Sequence, residues 1–491
     1  MDVQGTPEVI FDRSPDQRFD MQTAETLEIQ APRGFRSLIR ESLAGGHRDY
    51  TEGSIRYAIL MLAIPMVLEL CLESVFAVVD VFFVSRLGAE AVATVALTES
   101  MLVIIYAVAM GLSVGAMAIV ARRIGEKDRD GAARAAVQAI LLGVLVAVPV
   151  GIAGAWYARP LLAFMGASPG VIGNASYTTI VLGANGVIMM LFLINAVFRG
   201  AGDAATAMRV LWIANAINIC LDPCFIFGLG PFPRLGVTGA AVATTTGRGI
   251  GVLVQLYCLA QRSGRVAIRR EHLRFDPAVM LNMVRLSGSA VVQGLIPNVG
   301  WLGLVRVLAT FGSDALAGFA IAFRVVVFAL LPAWGLANAA ATLVGQNLGA
   351  GKPERARTSV WRACYYNMLF LGAVGLVFVV LPVPLVAAFT NDPVVAGHAV
   401  RALRIISSGF PFYAYAMVLT QSFNGAGDTL TPTIINLFCF WLWELPIAYA
   451  LAHVAGLGPS GVFWSIAIAY STMAIVSAVL FRRGRWQLKK I

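Results

Sequence analysis

Charge is what this chain has least of. Only 13% of its 491 residues are Asp, Glu, Lys or Arg, against 58% hydrophobic, where a soluble domain carries about 25% charged residues. That excludes a soluble globular protein and leaves a polytopic membrane protein. Histidine is nearly as scarce, with four in the chain. His398 and His453 lie near the ends of apolar runs, without partners at metal-ligand spacing, so no enzymatic centre is expected. The six cysteines, Cys71, Cys220, Cys224, Cys258, Cys364 and Cys439, all sit in apolar segments and form no C-x-x-C pair. They read as small buried hydrophobes, with no disulfide framework and no metal site. No secretory signal precedes the first apolar run. The formal net charge of +10 does not imply nucleic-acid binding, because where the charges lie matters more than their sum.

Long apolar runs are what the chain has instead. Runs of roughly 20 residues, enough to span a bilayer, recur about twelve times: 57–84, 93–121, 132–156, 177–198, 207–228, 237–260, 279–309, 316–344, 365–386, 399–421, 432–452 and 461–481. The expected fold is therefore all-α, a polytopic membrane protein of twelve transmembrane helices. Residues 1–54 are polar, of mixed charge and dotted with Pro and Gly, and read as a disordered cytoplasmic tail.

Basic residues orient the spans. One set of loops holds Arg122, Arg123, Lys127, Arg129 and Arg134; Arg199 and Arg209; Arg262 to Arg274; Lys352, Arg355 and Arg357; and the terminal Arg482 to Lys490. The alternate loops hold Arg86, Arg159 and Arg234. By the positive-inside rule both termini are cytoplasmic and the chain is a multi-pass protein of the cell's inner membrane. Arg401 and Arg404, near the outer end of span ten, do not follow the pattern.

The chain also repeats. Gly88, Gly111 and Gly125 match Gly312, Gly335 and Gly349 at an offset of 224, and Arg199-Gly-Ala-Gly-Asp203 matches Asn424-Gly-Ala-Gly-Asp428 at 225. Such regular self-similarity marks a duplication. With six spans each, the halves start on the same side and are related by a pseudo-two-fold along the membrane normal. The expected divisions are an N-terminal lobe at 55–260, a basic cytoplasmic linker at 261–278, a C-terminal lobe at 279–484 and a short tail at 485–491. Two lobes about such an axis enclose a central cleft, an arrangement typical of transporters. The Gly-Ala-Gly-Asp turns read as tight turns in which Gly supplies φ > 0.

Polar groups inside the spans then stand out. An ionisable side chain at membrane depth costs about 2.5–3.5 kcal/mol, so it faces the bundle interior or a wet cavity. In Asn218-Ile-Cys-Leu-Asp222-Pro223 the amide and carboxylate share one helix face, and Pro223 withdraws the partner of the Ile219 carbonyl. The set suits Na⁺ or a proton relay; the alternative is a Pro-kinked helix whose Asp is merely hydrogen-bonded. Span one carries Glu69, Glu73 and Asp80 on one broad face, and their counterparts at the repeat offset are Gln293, Pro297 and Leu304. The acids belong to the first half only. If their face points inward, Asp80 approaches Asp222, and two close carboxylates hold a cation between them. Span two adds Glu99, and span six offers the hydroxyls of Thr244, Thr245 and Thr246, a weak signal alone. In the second half Glu444 is expected to pair with Arg324 or Arg306.

Taken together, Val79-Asp80-Val-Phe-Phe-Val-Ser-Arg-Leu-Gly88, Phe198-Arg-Gly-Ala-Gly-Asp203, Asn218-Ile-Cys-Leu-Asp222-Pro223, Leu235-Gly-Val-Thr-Gly-Ala-Ala-Val-Ala-Thr244, Val344-Gly-Gln-Asn-Leu-Gly-Ala-Gly351 and Phe423-Asn-Gly-Ala-Gly-Asp428 resemble the multidrug and toxic compound extrusion (MATE) transporters. The resemblance runs from about Ile55 to Arg485 and is nearest to the DNA-damage-inducible branch. It implies two six-helix lobes and export of drugs or other amphiphilic, often cationic, compounds driven by inward H⁺ or Na⁺. It places the cation site on Asp80, Asn218, Asp222 and Thr244, with Thr245 the neighbouring choice. Other branches carry an acid in span seven, where this chain has Gln293, so a cation site in the second lobe is not expected. Glu69, Glu73, Gln293, Arg324 and Glu444 remain candidates for substrate contact or coupling, and Pro65 and Pro223 for hinges. The expected partners are a small-molecule substrate and the bilayer, with no nucleic acid; the expected state is a monomer, and no cofactor is expected beyond the coupling ion. The nearest alternative is a lipid-linked oligosaccharide flippase.

Overall fold

The computed structural model describes residues 35–46, 48–261, 264–489 and 491. The first 34 residues of the expected tail, and the basic residues Arg262 and Lys490, lie outside the described residues.

Among the described residues, nine single helices are long and apolar enough to cross a membrane: Ala89–Gly125, Arg129–Phe164, Ala204–Phe227, Val237–Ala260, Pro277–Ala309, Ser313–Gly349, Pro353–Val380, Leu430–Val454 and Pro459–Arg482. Two further spans are each bent in the middle, Ala175–Gly183 with Asn185–Ala201 by 41° and Pro393–Ser408 with Phe410–Gly425 by 56°. Ile55–Ser85, a helix of 31 residues carrying the three acids, makes the twelfth. These are spans one to twelve in chain order. Several helices outrun the apolar stretch that announced them. Span nine starts at Pro353, well before Tyr365, because Pro at the first helical position is pre-set for helix. It stops at Val380, and Pro382 opens a separate short helix, Pro382–Ala387.

The duplication reappears as a duplicated set of helix crossings. A Cβ on Gly125 would lie 2.0 Å from the Gln346 carbonyl oxygen, and one on Gly349 2.1 Å from that of Arg122. Gly111 stands in the same way against the Val291 backbone (2.6 Å to its nitrogen), and Gly335 against that of Val67 (2.7 Å). Each pair is the other shifted by the repeat offset with the lobes exchanged, which is what a two-fold requires. Only glycine permits backbones this close. The Gly-Ala-Gly-Asp turns match as well: Gly202 and Gly427 have φ of 82° and 81°. The Asp203 side chain caps span five by accepting from the Thr206 N–H at 3.3 Å.

At the end of the bundle that carries the basic loops, the lobes are bonded directly. Thr342 donates to the Arg199 carbonyl at 3.1 Å and Gln346 to the Gly200 carbonyl at 2.9 Å. From the other lobe Arg122 donates to the Ala426 carbonyl at 3.3 Å and to that of Lys489 at 2.9 Å. The lobes are therefore closed together at this end.

The expectation of a disordered segment up to residue 54 is corrected over its described part. Phe35–Ala44 is a helix, with Leu38, Ile39 and Leu43 half-buried and Ser42 buried. The strap after it is held by arginines of the linker and of the first turn of span nine. Arg265 donates to the carbonyls of Gly46 (3.1 Å) and Arg48 and lies over the Tyr50 ring. Arg355 donates to the carbonyls of Tyr50, Glu52 and Gly53 at 3.3, 2.8 and 2.9 Å, and Lys352 to that of Thr51 at 3.1 Å. Composition suggested disorder because it counts only what a segment brings itself; here the order is supplied by fixed donors elsewhere in the fold.

Candidate cation site

Span five presents Asn215, Asn218 and Asp222 along one face, at 1%, 1% and 0% exposure. Span six lies against it unusually closely. A Cβ on Gly247 would stand 2.8 Å from the Ala214 carbonyl oxygen and 3.0 Å from the Asn218 Cβ, and one on Gly239 2.4 Å from the Phe225 carbonyl oxygen. That approach sets the register, and Asn218 donates to the Thr244 hydroxyl at 3.0 Å. Thr244, and not Thr245, is therefore the hydroxyl that span six brings to Asn218.

The remaining oxygens are left over. Both carboxylate oxygens of Asp222, the side-chain oxygen of Asn218 and Oδ1 of Asp80 are buried with no hydrogen-bond partner. A buried polar group without a partner is costly, and in native structures each such group calls for an explanation. Span one, which carries Asp80, packs along span five, which carries Asp222. Asn218, Asp222 and Thr244 are thus brought together where spans five and six meet, with Asp80 on the span packed against span five, and all four carry oxygen acceptors. Oxygen-only sets suit hard cations and protons. Among the described residues no group of three or more His, Cys, Asp or Glu is placed to hold a metal ion. Pro223 lies inside span five, which continues to Phe227 before Gly228 turns left-handed. Pro65 is buried within span one.

The other two acids of span one have partners. Glu69 is 2% exposed, pairs with Arg199 at 2.9 Å and accepts from Asn195 at 3.1 Å. Asn195 in turn accepts from Gln255 at 2.6 Å. Glu73 pairs with Arg248 at 3.0 Å and accepts from Asn215 at 3.1 Å. Arg199 is a correction: counted by sequence among the loop bases, it is 8% exposed near the end of span four and turned to Glu69. Arg248, Asn195 and Gln255 were not singled out by sequence at all. The signal existed: Arg248 stands in an apolar run one turn past Thr244, and a buried guanidinium needs a carboxylate.

In the second lobe the expected pairing of Glu444 with Arg324 or Arg306 does not occur. Glu444 is 3% exposed, while both arginines lie exposed, and no ion pair among the described residues joins them. The expectation rested only on opposite charges at depth tending to pair; Leu437–Glu444 is π-helical, so its side chains do not keep an α-helical phase. Glu444 is turned instead into the neighbourhood of Tyr413 and Tyr470, whose rings stack at 3.9 Å. Gln293 lends its backbone carbonyl to Asn436 at 3.2 Å and buries an unpartnered side-chain oxygen. Arg404, unexplained by the charge pattern, donates to the Val379 carbonyl at 3.2 Å. Between the lobes, Cys71, Ser74 and Val78 of span one face Phe328, Leu331 and Pro332 of span eight across an apolar cleft of about 300 Å³.

Comparison with known proteins agrees with this architecture. The family model described as MatE matches residues 65–224 and 291–450, one copy in each half. The chain is 26% identical over 439 residues to a probable multidrug resistance protein NorM of Thermotoga maritima, covering 89% of this chain and 94% of that one. It is 24% identical to an FAD transporter of Shewanella oneidensis, covering 87% and 94%. Among solved structures it is similar to an outward-facing conformation of a multidrug resistance MATE family transporter, at 28% identity and TM-score 0.84, covering 90% and 98%. It is equally close to a MOP superfamily transporter from Pyrococcus furiosus whose binding pocket is described as of reverse polarity, at 28% identity and TM-score 0.83, covering 90% and 98%.

Proposed function

The chain belongs to the MatE family, and from that premise we propose that it is a secondary active antiporter, exporting drugs or other amphiphilic, often cationic, organic compounds in exchange for H⁺ or Na⁺. The observation that carries the coupling is the set of unpartnered buried oxygens on Asp80, Asn218 and Asp222. A fold tolerates such a set when an external cation completes it during the cycle. In this reading both termini are cytoplasmic, the protein acts as a monomer in the inner membrane, and the site is of the kind the DNA-damage-inducible branch carries.

The cycle runs by alternating access. The lobes are closed at the basic end, so the central cleft faces outward. Cation binding at Asp80 and Asp222 neutralises span one against span five, and the two spans bend at Pro65 and Pro223. The drug leaves from the apolar inter-lobe cleft, and inward opening then releases the cation. Coupling requires that ion and drug prefer opposite states, because a ligand without differential affinity shifts nothing.

The test is exchange in proteoliposomes with ethidium as the organic cation, under a pH gradient alone and a Na⁺ gradient alone. Ethidium movement against its own gradient under at least one of them is expected. Equilibration down its own gradient under both would identify a passive pathway and overturn the reading.

A further inference from the structure

We propose that Arg248 is a tethered counter-cation of the Asp80/Asp222 site, held on Glu73 while the coupling ion is bound and drawn toward Asp80 and Glu99 when the ion leaves, so that it sets the site's cation affinity. The inference rests on the antiport reading above and names a residue that tunes it.

Arg248 is 4% exposed and follows Thr244 by one turn on span six. On the span-five side the helices are too close for a side chain to pass: a Cβ on Gly247 or Gly251 would stand 2.8 Å from the Ala214 carbonyl oxygen or 2.9 Å from the Ala214 Cβ. The guanidinium is therefore directed to spans one and two. It donates to Glu73 at 3.0 Å and, at 3.5 Å, to the Tyr106 hydroxyl, and lies 5.5 Å from the centre of the Phe76 ring. The second Glu73 oxygen is taken by Asn215, so this carboxylate has no room for a further cation.

The donor side is not used up. A guanidinium carries five N–H donors, and Nε of Arg248 is buried without an acceptor. Asp80 and the exposed Glu99 both lie in its field, and Oδ1 of Asp80 is a buried acceptor without a donor. An unpaired donor and an unpaired acceptor thus share one electrostatic cluster. Three acids, Glu73, Asp80 and Glu99, face one arginine, and Asp80 in turn acts on Asp222. A mobile cation and the guanidinium compete for the same carboxylates, and Glu73 decides how far Arg248 is withheld. Arg199 takes no part, being held by Glu69.

The competition makes predictions of opposite sign for partners of one ion pair, which a merely structural pair would not. Purified variants are reconstituted, and the half-saturating concentration of the ion that drives the parent, Na⁺ or H⁺, is measured for ethidium exchange. R248Q removes the competitor and lowers that concentration by about tenfold, a usual size for coupled sites. E73Q frees the guanidinium for Asp80 and raises it by about tenfold. E73Q/R248Q follows R248Q, and R248K, which keeps the charge, follows the parent. Shifts of the same sign in R248Q and E73Q, or a parental value in either, overturn the proposal. Should R248Q not purify as a monodisperse protein, E73Q carries the test by itself: a rise supports competition and a parental value overturns it. A parent with no ion dependence at all sinks the antiport reading instead, which keeps the two failures apart.

Discussion

Asn218 of span five donates to the Thr244 hydroxyl of span six at 3.0 Å, while its own side-chain oxygen is buried without a partner. One end of the amide is thus used to fix its orientation and the other is left to accept. The bond exists because Gly247 brings the two helices together beside it. Thr244 orients an acceptor for the cation.

Thr244→Val follows from this. It removes the hydroxyl at nearly constant volume, frees the Asn218 amide to turn, and is expected to raise the half-saturating cation concentration roughly tenfold, the loss of about 1.4 kcal/mol. Thr245→Val on the same helix leaves it near the parental value. Ion-titrated exchange in proteoliposomes compares the two, and equal effects would contradict the register seen here.

A glycine at the symmetric crossing and one away from it are predicted to respond with opposite sign. Gly125→Ala sets a methyl against the Gln346 carbonyl at 2.0 Å, and overpacking of this kind costs about 1–3 kcal/mol. A Cβ on Gly249 of span six meets nothing within 4 Å, so Gly249→Ala is expected to gain up to about 1 kcal/mol of helix propensity. Thermal unfolding in detergent should lower the Tm of the first and hold or raise that of the second.

Glu69 and Arg199 form a closed pair, with side chains 3% and 10% exposed. Glu69→Gln leaves the guanidinium buried without its counter-charge, a loss of about 3–5 kcal/mol for a buried pair. The double variant Glu69→Gln/Arg199→Gln should recover most of it. A Tm in Glu69→Gln equal to that of the double variant would show that the pair is not holding spans one and four together.

Arg355 holds the carbonyls of Tyr50, Glu52 and Gly53 in the strap before span one. Arg355→Ala should expose residues 48–53 to protease several-fold faster while ethidium exchange persists, since local opening tracks the contacts that a segment makes. The rate of appearance of the trimmed fragment is the readout, and parental kinetics would count against the strap.

How much of this was legible beforehand depends on what each residue answers to. Apolar length and the glycine repeat are local, so twelve spans and the two-fold could be read directly; Gly125 and Gly349 then met across the axis as the repeat implied. Asp80 and Asp222 were conspicuous because an acid in an apolar run has few innocent explanations, and Asn218 because it lies one turn before Asp222 on the same face. Arg199 was misplaced because it lies near a helix end, where sequence cannot distinguish a loop base from a buried one. Glu444 was assigned a partner only because opposite charges at depth tend to pair, and sequence could not show that both arginines lie exposed. The strap was missed because its order comes from Arg265 and Arg355, hundreds of positions away.

The most direct measurement is gradient-driven ethidium exchange by Asp80→Asn and Asp222→Asn in proteoliposomes, with equilibrium ethidium binding measured alongside. Removing either carboxylate takes away the charge that a cation neutralises while leaving the inter-lobe cleft intact. The account predicts that both variants still bind ethidium and that driven exchange falls to less than about a tenth of the parental rate, at least 1.4 kcal/mol on the driven step. Parental driven exchange in either variant would contradict it.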